Sequence, residues 1–201
     1  MLKNDELKVL KVLFNDLTKE HTIQSISLEL KQKYPQTYHT IHNMQKNGDV
    51  IIKKIGNYKI VKLDFTKLNY NYVIAEIERA NYIISRNIYV KMIKEDLKKI
   101  NKNFICILFG SQVEKHNPES DVDLLFLIPK EYDYEKFDTL TYNTFIGSVK
   151  TDINVAFEES LHNMLAYPEK FNVGNELLKK HIVLYGTEHF LNLLRIHYVG
   201  E

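Results

Sequence analysis

Three aspartates, a glycine and a serine carry the chemistry legible in this chain. Asp121 and Asp123 stand two apart in SDVDLLFLI, where an apolar run opens. Residues two apart on a strand leave the same face, so both carboxylates project together while Val122 and Leu124 take the other side. Like charges held that close repel unless a cation or a proton intervenes, and a hard divalent ion is the usual partner of clustered carboxylate oxygens. Asp152 is the third candidate: in the alternating run KTDINVAF, Ile153 and Val155 share the face away from it. If that strand lies beside DVDLL, three carboxylates converge, and such a set can hold two metals that align an attacking oxygen with a phosphorus. Gly110-Ser111, just past FICILF, offers the complementary half. Glycine permits close backbone approach, and N–H groups with a hydroxyl can hold phosphate oxygens. Singly, an Asp-x-Asp can cap a loop and a Gly-Ser pair can be a plain turn. Their order is what points to a site: β run, Gly-Ser, nine residues, Asp-Val-Asp in a second β run, then an isolated Asp in a third.

The elements that must position these groups lie in the back half of the chain. FICILF and DLLFLI read as buried strands, EYDYEKFDTLTYNTF as a helix and KTDINVAF as a strand with one face covered. Short helices follow at Glu159 to Leu165 and Asn175 to Lys180, HIVLYG is a strand or an apolar turn, and EHFLNLLRIHY is a helix. Ahead of them, a long helical stretch breaks near Ser85 to Asn87. Ile74, Ile77, Ile88, Met92, Leu97 and Ile100 keep its packed face, with Glu76 and Glu78 on solvated positions.

The ordered motif resembles the DNA polymerase β-like nucleotidyltransferase superfamily, in particular its minimal nucleotidyltransferase branch. The match lies in FGS at 109 to 111, SDVDLLFLI at 120 to 128 and Asp152, and the resemblance spans about residues 86 to 200, with LYGTEHF as the closing tail. It implies that Asp121 and Asp123 bind Mg²⁺ or Mn²⁺ and the incoming nucleoside triphosphate, with ATP expected. It further implies that Asp152 completes the metal site or activates an acceptor hydroxyl, and that Gly110 and Ser111 hold the β and γ phosphates. Many minimal members continue with x-Ala-Arg-Gly, where this chain has QVEKHNP. Lys115 is then the candidate for the missing positive charge, beside Glu114.

Residues 1–65 read differently. Leu7, Leu10, Leu13 and Leu17 lie on a helical stripe, and Ile23, Ile26 and Leu30 mark a short second helix. Pro35 opens a third helix, which Gly48 ends. VIIKKIGNYKIVKLD is a hairpin around Gly56-Asn57. Three helices and a ribbon resemble the winged helix-turn-helix family. In that reading Gln36, Thr37, His39, Thr40 and Asn43 face a major groove while Lys53, Lys54 and Lys59 approach phosphates. Winged helices also dock proteins and dimerise, so nucleic-acid contact and a protein-interaction role both stand.

Composition bounds the rest. The chain has 201 residues and 44% hydrophobic content, enough for one good core or two small ones. Net charge is +1, distributed as +4 over residues 1–60, +3 over 61–100 and −6 over 101–201. A basic front suits a polyanion and an acidic back suits metals. Cys106, alone in an apolar run, excludes a disulfide framework. No signal-peptide core and no apolar run of membrane-spanning length is present, so a cytoplasmic protein without membrane contact is expected.

The expected fold is α+β: a winged helix-turn-helix domain at 1–65, a helical connector at 66–101 and a mixed-sheet nucleotidyltransferase domain at 102–201. The expected function is transfer of a nucleoside monophosphate to a hydroxyl of a protein, RNA or small molecule. The alternative is a DNA-binding regulator or antitoxin whose transferase fold serves as sensor, dimerisation platform or mask for a toxin-like partner; a homodimer is expected.

Overall fold

The computed structural model describes residues 2–56, 58–67, 69–113, 119–165 and 173–199. Its front is a helical region with a small antiparallel sheet. Helix α1 (Asn4–Asn15) buries Val9, Leu10, Leu13 and Phe14. Strand β1 (His21–Thr22) leads directly into α2 (Ile23–Glu29). Thr22 and Ser25 cap that helix reciprocally: the Ser25 N–H donates to Thr22 Oγ1 at 3.0 Å and the Thr22 N–H to Ser25 Oγ at 2.9 Å. Helix α3 (Tyr34–Asn47) carries Pro35 in its first turn and ends on Gly48 at a φ of 74°. Strands β2 (Val50–Ile55) and β3 (Tyr58–Leu63) form the hairpin, and β1 adds to β3, giving the order β1-β3-β2. Asn57 of the expected turn lies outside the described residues.

Helices α4 (Tyr70–Ile84) and α5 (Ile88–Leu97) follow, separated at Ser85–Asn87. The buried face of α4 differs from the one its isoleucines suggest. Tyr72, Ala75, Glu76, Arg79 and Ala80 turn inward, while Ile74 and Ile77 stay exposed, as do Ile88 and Met92 on α5. Small residues on the inner face let α4 pack closely, and its charged pair has a buried partner. Glu76, expected on a solvated position, is fully buried and accepts a hydrogen bond from Arg79. Arg79 Nη2 donates to the His181 carbonyl at 2.9 Å, and His181 Nε2 lies 3.7 Å from Glu76 Oε2. Glu78 is exposed and pairs with Lys11 at 3.8 Å.

The back of the chain is a four-stranded mixed sheet, β4 (Ile105–Phe109), β5 (Val122–Ile128), β6 (Thr151–Phe157) and β7 (His181–Tyr185), in the order β6-β5-β4-β7. β5 and β6 are parallel and the other pairings antiparallel. Helix α6 (Tyr134–Phe145) is the crossover between the parallel pair. Cys106, Leu124, Phe126 and Ile182 pack under α5 and α6 with Val90, Ile93, Phe137 and Phe145. On the other face, Ile105, Ile107, Leu125, Leu127 and Val183 join Val9, Leu10, Leu13, Ile26, Ile41 and Tyr72 in one continuous core. That core also takes in Leu161 of α7 (Glu158–Leu165), Leu177 of α8 (Val173–Lys179) and Phe190 of α9 (Thr187–Val199). The Leu17 N–H donates to the Leu178 carbonyl at 2.8 Å, and Phe65 stacks on Tyr198 with centroids 4.9 Å apart. Cys106 is buried, and among the described residues no helix is long and apolar enough to cross a membrane.

The buried cluster sets an acid limit on stability. Burial, and then the Arg79 charge, push His181 down to about 3, so the folded protein holds it neutral. An unfolded histidine binds a proton below its ordinary value of 6.5, whereas the folded one does so only near 3. The stability contribution is therefore complete above the unfolded value and lost as pH falls from there towards 3, at up to about 1.4 kcal/mol per pH unit. Glu76, held above the carboxylate range by burial, works in the opposite direction. Comparison with His181→Gln separates the two: urea melts between pH 7 and 5 are expected to show wild type losing more stability than the variant. Parallel losses would mean that His181 is not a buried neutral group.

Candidate active site

Strand register places the candidate carboxylates. Phe109, the last residue of β4, pairs with Asp123 on one side and His181 on the other, and Asp123 pairs with Asp152. Cross-strand partners project to the same face, so Asp152, Asp123, Phe109 and His181 form one row across the sheet. The row lies on the face that carries Leu125 and Leu127 and packs against the front helices. Val122 and Leu124 lie in the opposite core, as alternation requires.

The turn after β4 is shaped around Asp123. Gly110 opens a 3-10 turn, Gly110–Val113, with a φ of +73°. A Cβ at Gly110 would sit 2.0 Å from Asp123 Oδ2 and 3.0 Å from its Cγ. Both the left-handed backbone and the close approach exclude a side chain there. The Asp123 carboxylate thus lies against bare backbone, with Asp152 beside it. Partial burial is the main cause, and the Asp152 and Asp121 charges the next, that raises the proton affinity of Asp123 above the usual carboxylate range. Asp121 sits just before β5, and its Oδ1 accepts a hydrogen bond from Lys150 Nζ at 2.6 Å. Lys150 in turn is fixed by the Val122 N–H, which donates to its carbonyl at 2.9 Å.

Ser111, Gln112 and Ser120 hold the two ends of the following loop together. Ser111 Oγ and Ser120 Oγ are 3.0 Å apart, and Gln112 Nε2 donates to the Ser120 carbonyl at 3.0 Å. Asn87, at the start of α5, donates from Nδ2 to Gln112 Oε1 at 2.9 Å in a buried contact. Sequence reasoning missed Lys150, Gln112, Ser120 and Asn87. Only Asn87 left a signal, as a capping residue at the break between two helices. Lys115 and Glu114 lie outside the described residues.

The donor set suits a hard divalent cation, being all carboxylate oxygen with like charges that burden Asp123. Yet among the described residues no group of three or more His, Cys, Asp or Glu is placed to hold a metal ion. The Lys150 ammonium is a cation already on Asp121.

The front candidates are less uniform. His39 and Asn43 are exposed and Thr40 half-buried on α3, and Lys53, Lys54 and Lys59 are exposed on the hairpin. Lys59 Nζ lies 5.3 Å from the Tyr38 ring centroid, so the hairpin and α3 meet there. Thr37 is a correction: it is fully buried, with its hydroxyl 3.5 Å from both Gln32 Oε1 and the Lys33 carbonyl, and cannot face a groove. Its place on the helix is the inner side, with Ile41 and Met44. Gln36 is exposed but its amide is engaged, donating to Asp5 Oδ2 at 2.9 Å.

Replacing Gly110 by alanine tests the geometry of the turn. The left-handed backbone and the contact with Asp123 together are expected to cost about 1–3 kcal/mol in urea denaturation. An unchanged midpoint would show that the turn does not press on Asp123.

A scan against protein-family models matches residues 90–186 to the family described as Nucleotidyltransferase domain. Comparison with curated proteins finds no match, and comparison with solved structures finds none. The matched span starts within α5 and ends just after β7, so it contains the Gly110 turn, all three aspartates and the whole four-stranded sheet. By that match, residues 90–186 carry a nucleotidyltransferase domain of the DNA polymerase β-like superfamily, and with it the identity of a transferase enzyme.

Proposed function

We propose that this domain transfers a nucleoside monophosphate from a nucleoside triphosphate, ATP first, to a hydroxyl group, with release of pyrophosphate. The supporting observation is Asp123, set between the Asp152 and Asp121 charges and against the bare backbone of Gly110. A like-charge arrangement of this kind is costly in a resting protein and suits a cationic ligand. Asp123 and Asp152, joined by Asp121 once Lys150 releases it, would hold Mg²⁺ or Mn²⁺. The cation would supply charge neutralisation for the phosphates and polarisation of the reacting phosphorus. The Gly110 turn presents backbone N–H groups to phosphate oxygens, with the Ser111 hydroxyl beside them. Asp152, the most exposed of the three, would accept the proton of the attacking hydroxyl. Lys150, released from Asp121, becomes a mobile positive charge at the same edge.

The assay is transfer from α-labelled ATP with Mg²⁺ or Mn²⁺. Asp123→Asn and Asp152→Asn are each expected to lower transfer by roughly a thousandfold. Asp123→Asn should also be slightly more stable than wild type above the carboxylate range, since it relieves the like-charge penalty. That gain should vanish at acid pH, where Asp123 is protonated in both states. Absence of both metal-dependent ATP binding and transfer would overturn the reading.

A second role is supported by the front region: three helices with the β1-β3-β2 sheet suit a winged helix-turn-helix module. The exposed His39 and Asn43 and the half-buried Thr40 lie on α3, and the exposed Lys53, Lys54 and Lys59 lie on the hairpin, which meets α3 where Lys59 Nζ stands over the Tyr38 ring. In this role α3 enters a groove and the hairpin lysines meet phosphates, as suits an operon-regulating partner of a toxin-like protein. Duplex binding measured against salt should show a log–log slope reduced by about 2 in Lys53→Ala/Lys54→Ala. No binding by the full chain even at low salt would sink this role.

A further inference from the structure

A second cluster of metal-ligating side chains lies at the far end of the sheet from the aspartates. Helix α7 starts directly after β6, so at about 3.3 Å per strand residue it begins roughly 20 Å from Asp152. Glu158 and His162, four apart, share one face of α7. His189 and His197 lie along one side of α9, and each meets one of them. His189 Nε2 is 3.1 Å from Glu158 Oε2, and His197 Nδ1 is 3.1 Å from His162 Nδ1. The transferase site uses neither pair.

In the histidine pair two identical ring nitrogens face each other. A hydrogen bond between them requires the rings to take opposite tautomers, one donating and one accepting. A shared metal ion requires only two lone pairs at the right separation. With metal–nitrogen bonds of about 2.0–2.1 Å and a tetrahedral angle, two ligating nitrogens stand about 3.3 Å apart. The observed 3.1 Å lies close to that, and the rings cross at 70° rather than stack. Beside the pair is a cavity of about 230 Å³, bounded by both histidines, Glu158 and Glu159, with Leu161 and Leu165 as apolar wall. One water requires roughly 10–15 Å³ of such space, so an ion and its waters fit. Lys130 pairs with Glu159 at 3.0 Å on the surface, whereas Glu158 Oε1 is buried and has no hydrogen-bond partner among the described residues. Such an oxygen suits metal-bound water. His162 is exposed and gives an ion a path to the buried His197. Among the described residues no third His, Cys, Asp or Glu joins the pair as a ligand, so water completes the shell.

We propose that His162 and His197 bind a borderline divalent cation, Zn²⁺ first, through their two Nδ1 atoms, with water from the adjoining cavity completing its shell and Glu158 accepting a hydrogen bond from that water. Imidazole nitrogens select Zn²⁺, Co²⁺, Ni²⁺ or Cu²⁺ over Mg²⁺, whereas carboxylates such as Asp123 and Asp152 have the opposite preference. The two sites are separated by ligand chemistry as well as by distance, and this one does not depend on the transferase reading. Its effect falls on the packing of α7 against α9. His197 precedes Tyr198, whose ring stacks on Phe65, so an ion here fixes the end of α9 that meets the front of the chain.

Metal binding to the full chain, measured with excess Mg²⁺ present to occupy carboxylates, tests the site apart from catalysis. Zn²⁺ titrated calorimetrically, and Co²⁺ followed by its visible absorption, are each expected to bind as one ion per chain and to raise the thermal midpoint. His162→Ala, at an exposed position, should weaken binding at least tenfold and abolish the thermal shift. His162→Cys should restore Co²⁺ binding and add a thiolate-to-metal charge-transfer band, a signature that a purely structural histidine would not produce. Binding should be unchanged in Asp123→Asn, and in His39→Ala, the control for adventitious binding at surface histidines. Binding that Mg²⁺ displaces, that persists in His162→Ala, or that is lost in either control would overturn the proposal. A wild type indifferent to Zn²⁺ and Co²⁺ would do so as well, and would leave the two histidines sharing a hydrogen bond only.

Discussion

The site depends on the close approach of Gly110 to Asp123. β4 must end at Phe109 in register with Asp123, and the chain must then turn through a left-handed residue with no side chain. Every other feature follows from that contact. The turn can present backbone to a ligand only because Gly110 has no Cβ. Asp123 takes up a position between backbone and Asp152 only because the parallel pairing of β5 and β6 sets those two aspartates opposite each other. The price is electrostatic, and it appears as the raised proton affinity of Asp123. Lys150, just before β6, pairs with Asp121.

The sheet that carries this contact is steadied from behind by α4. Glu76 and Arg79 are buried charges, which burial alone would make unfavourable. They persist as a hydrogen-bonded group closed by the His181 carbonyl. Because His181 ends the row that starts at Asp152, α4 is tied to the same strand level that holds the carboxylates. The shared core extends this coupling, since Leu125 and Leu127 of β5 pack in one cluster with Leu10 and Tyr72. The front helices therefore act as one wall of the transferase sheet, whatever further partners they meet.

Local pattern made much of the architecture legible. Alternation in DVDLLFLI and TDINVAF identified two strands and the face of each aspartate, because a period of two leaves no other choice. Pro35 and Gly48 bounded a helix through backbone constraints that no tertiary contact had to supply. Other readings failed where burial was decided by a distant partner. Glu76 looks solvated in sequence because charged residues usually are, yet its partner His181 stands 105 positions further on. Thr37 has the polarity of a surface residue, and its small size let the helix turn it inward beside Ile41. The two-residue β1 is too short for any periodic signal and exists because β3 offers it a ladder.

The sequence by itself determined the chemistry: which oxygens and which backbone turn are available, on which face of each strand, and in what order along the chain. Those follow from residue type and from a geometry that repeats every two residues. Only the tertiary structure decided what stands next to what. The pairing of Asp123 with Asp152, the hold of Lys150 on Asp121 and the buried union of α4 with β7 all join residues far apart in the chain. Such neighbours are chosen by sheet register and by the packing of a shared core, and neither is written in a local pattern.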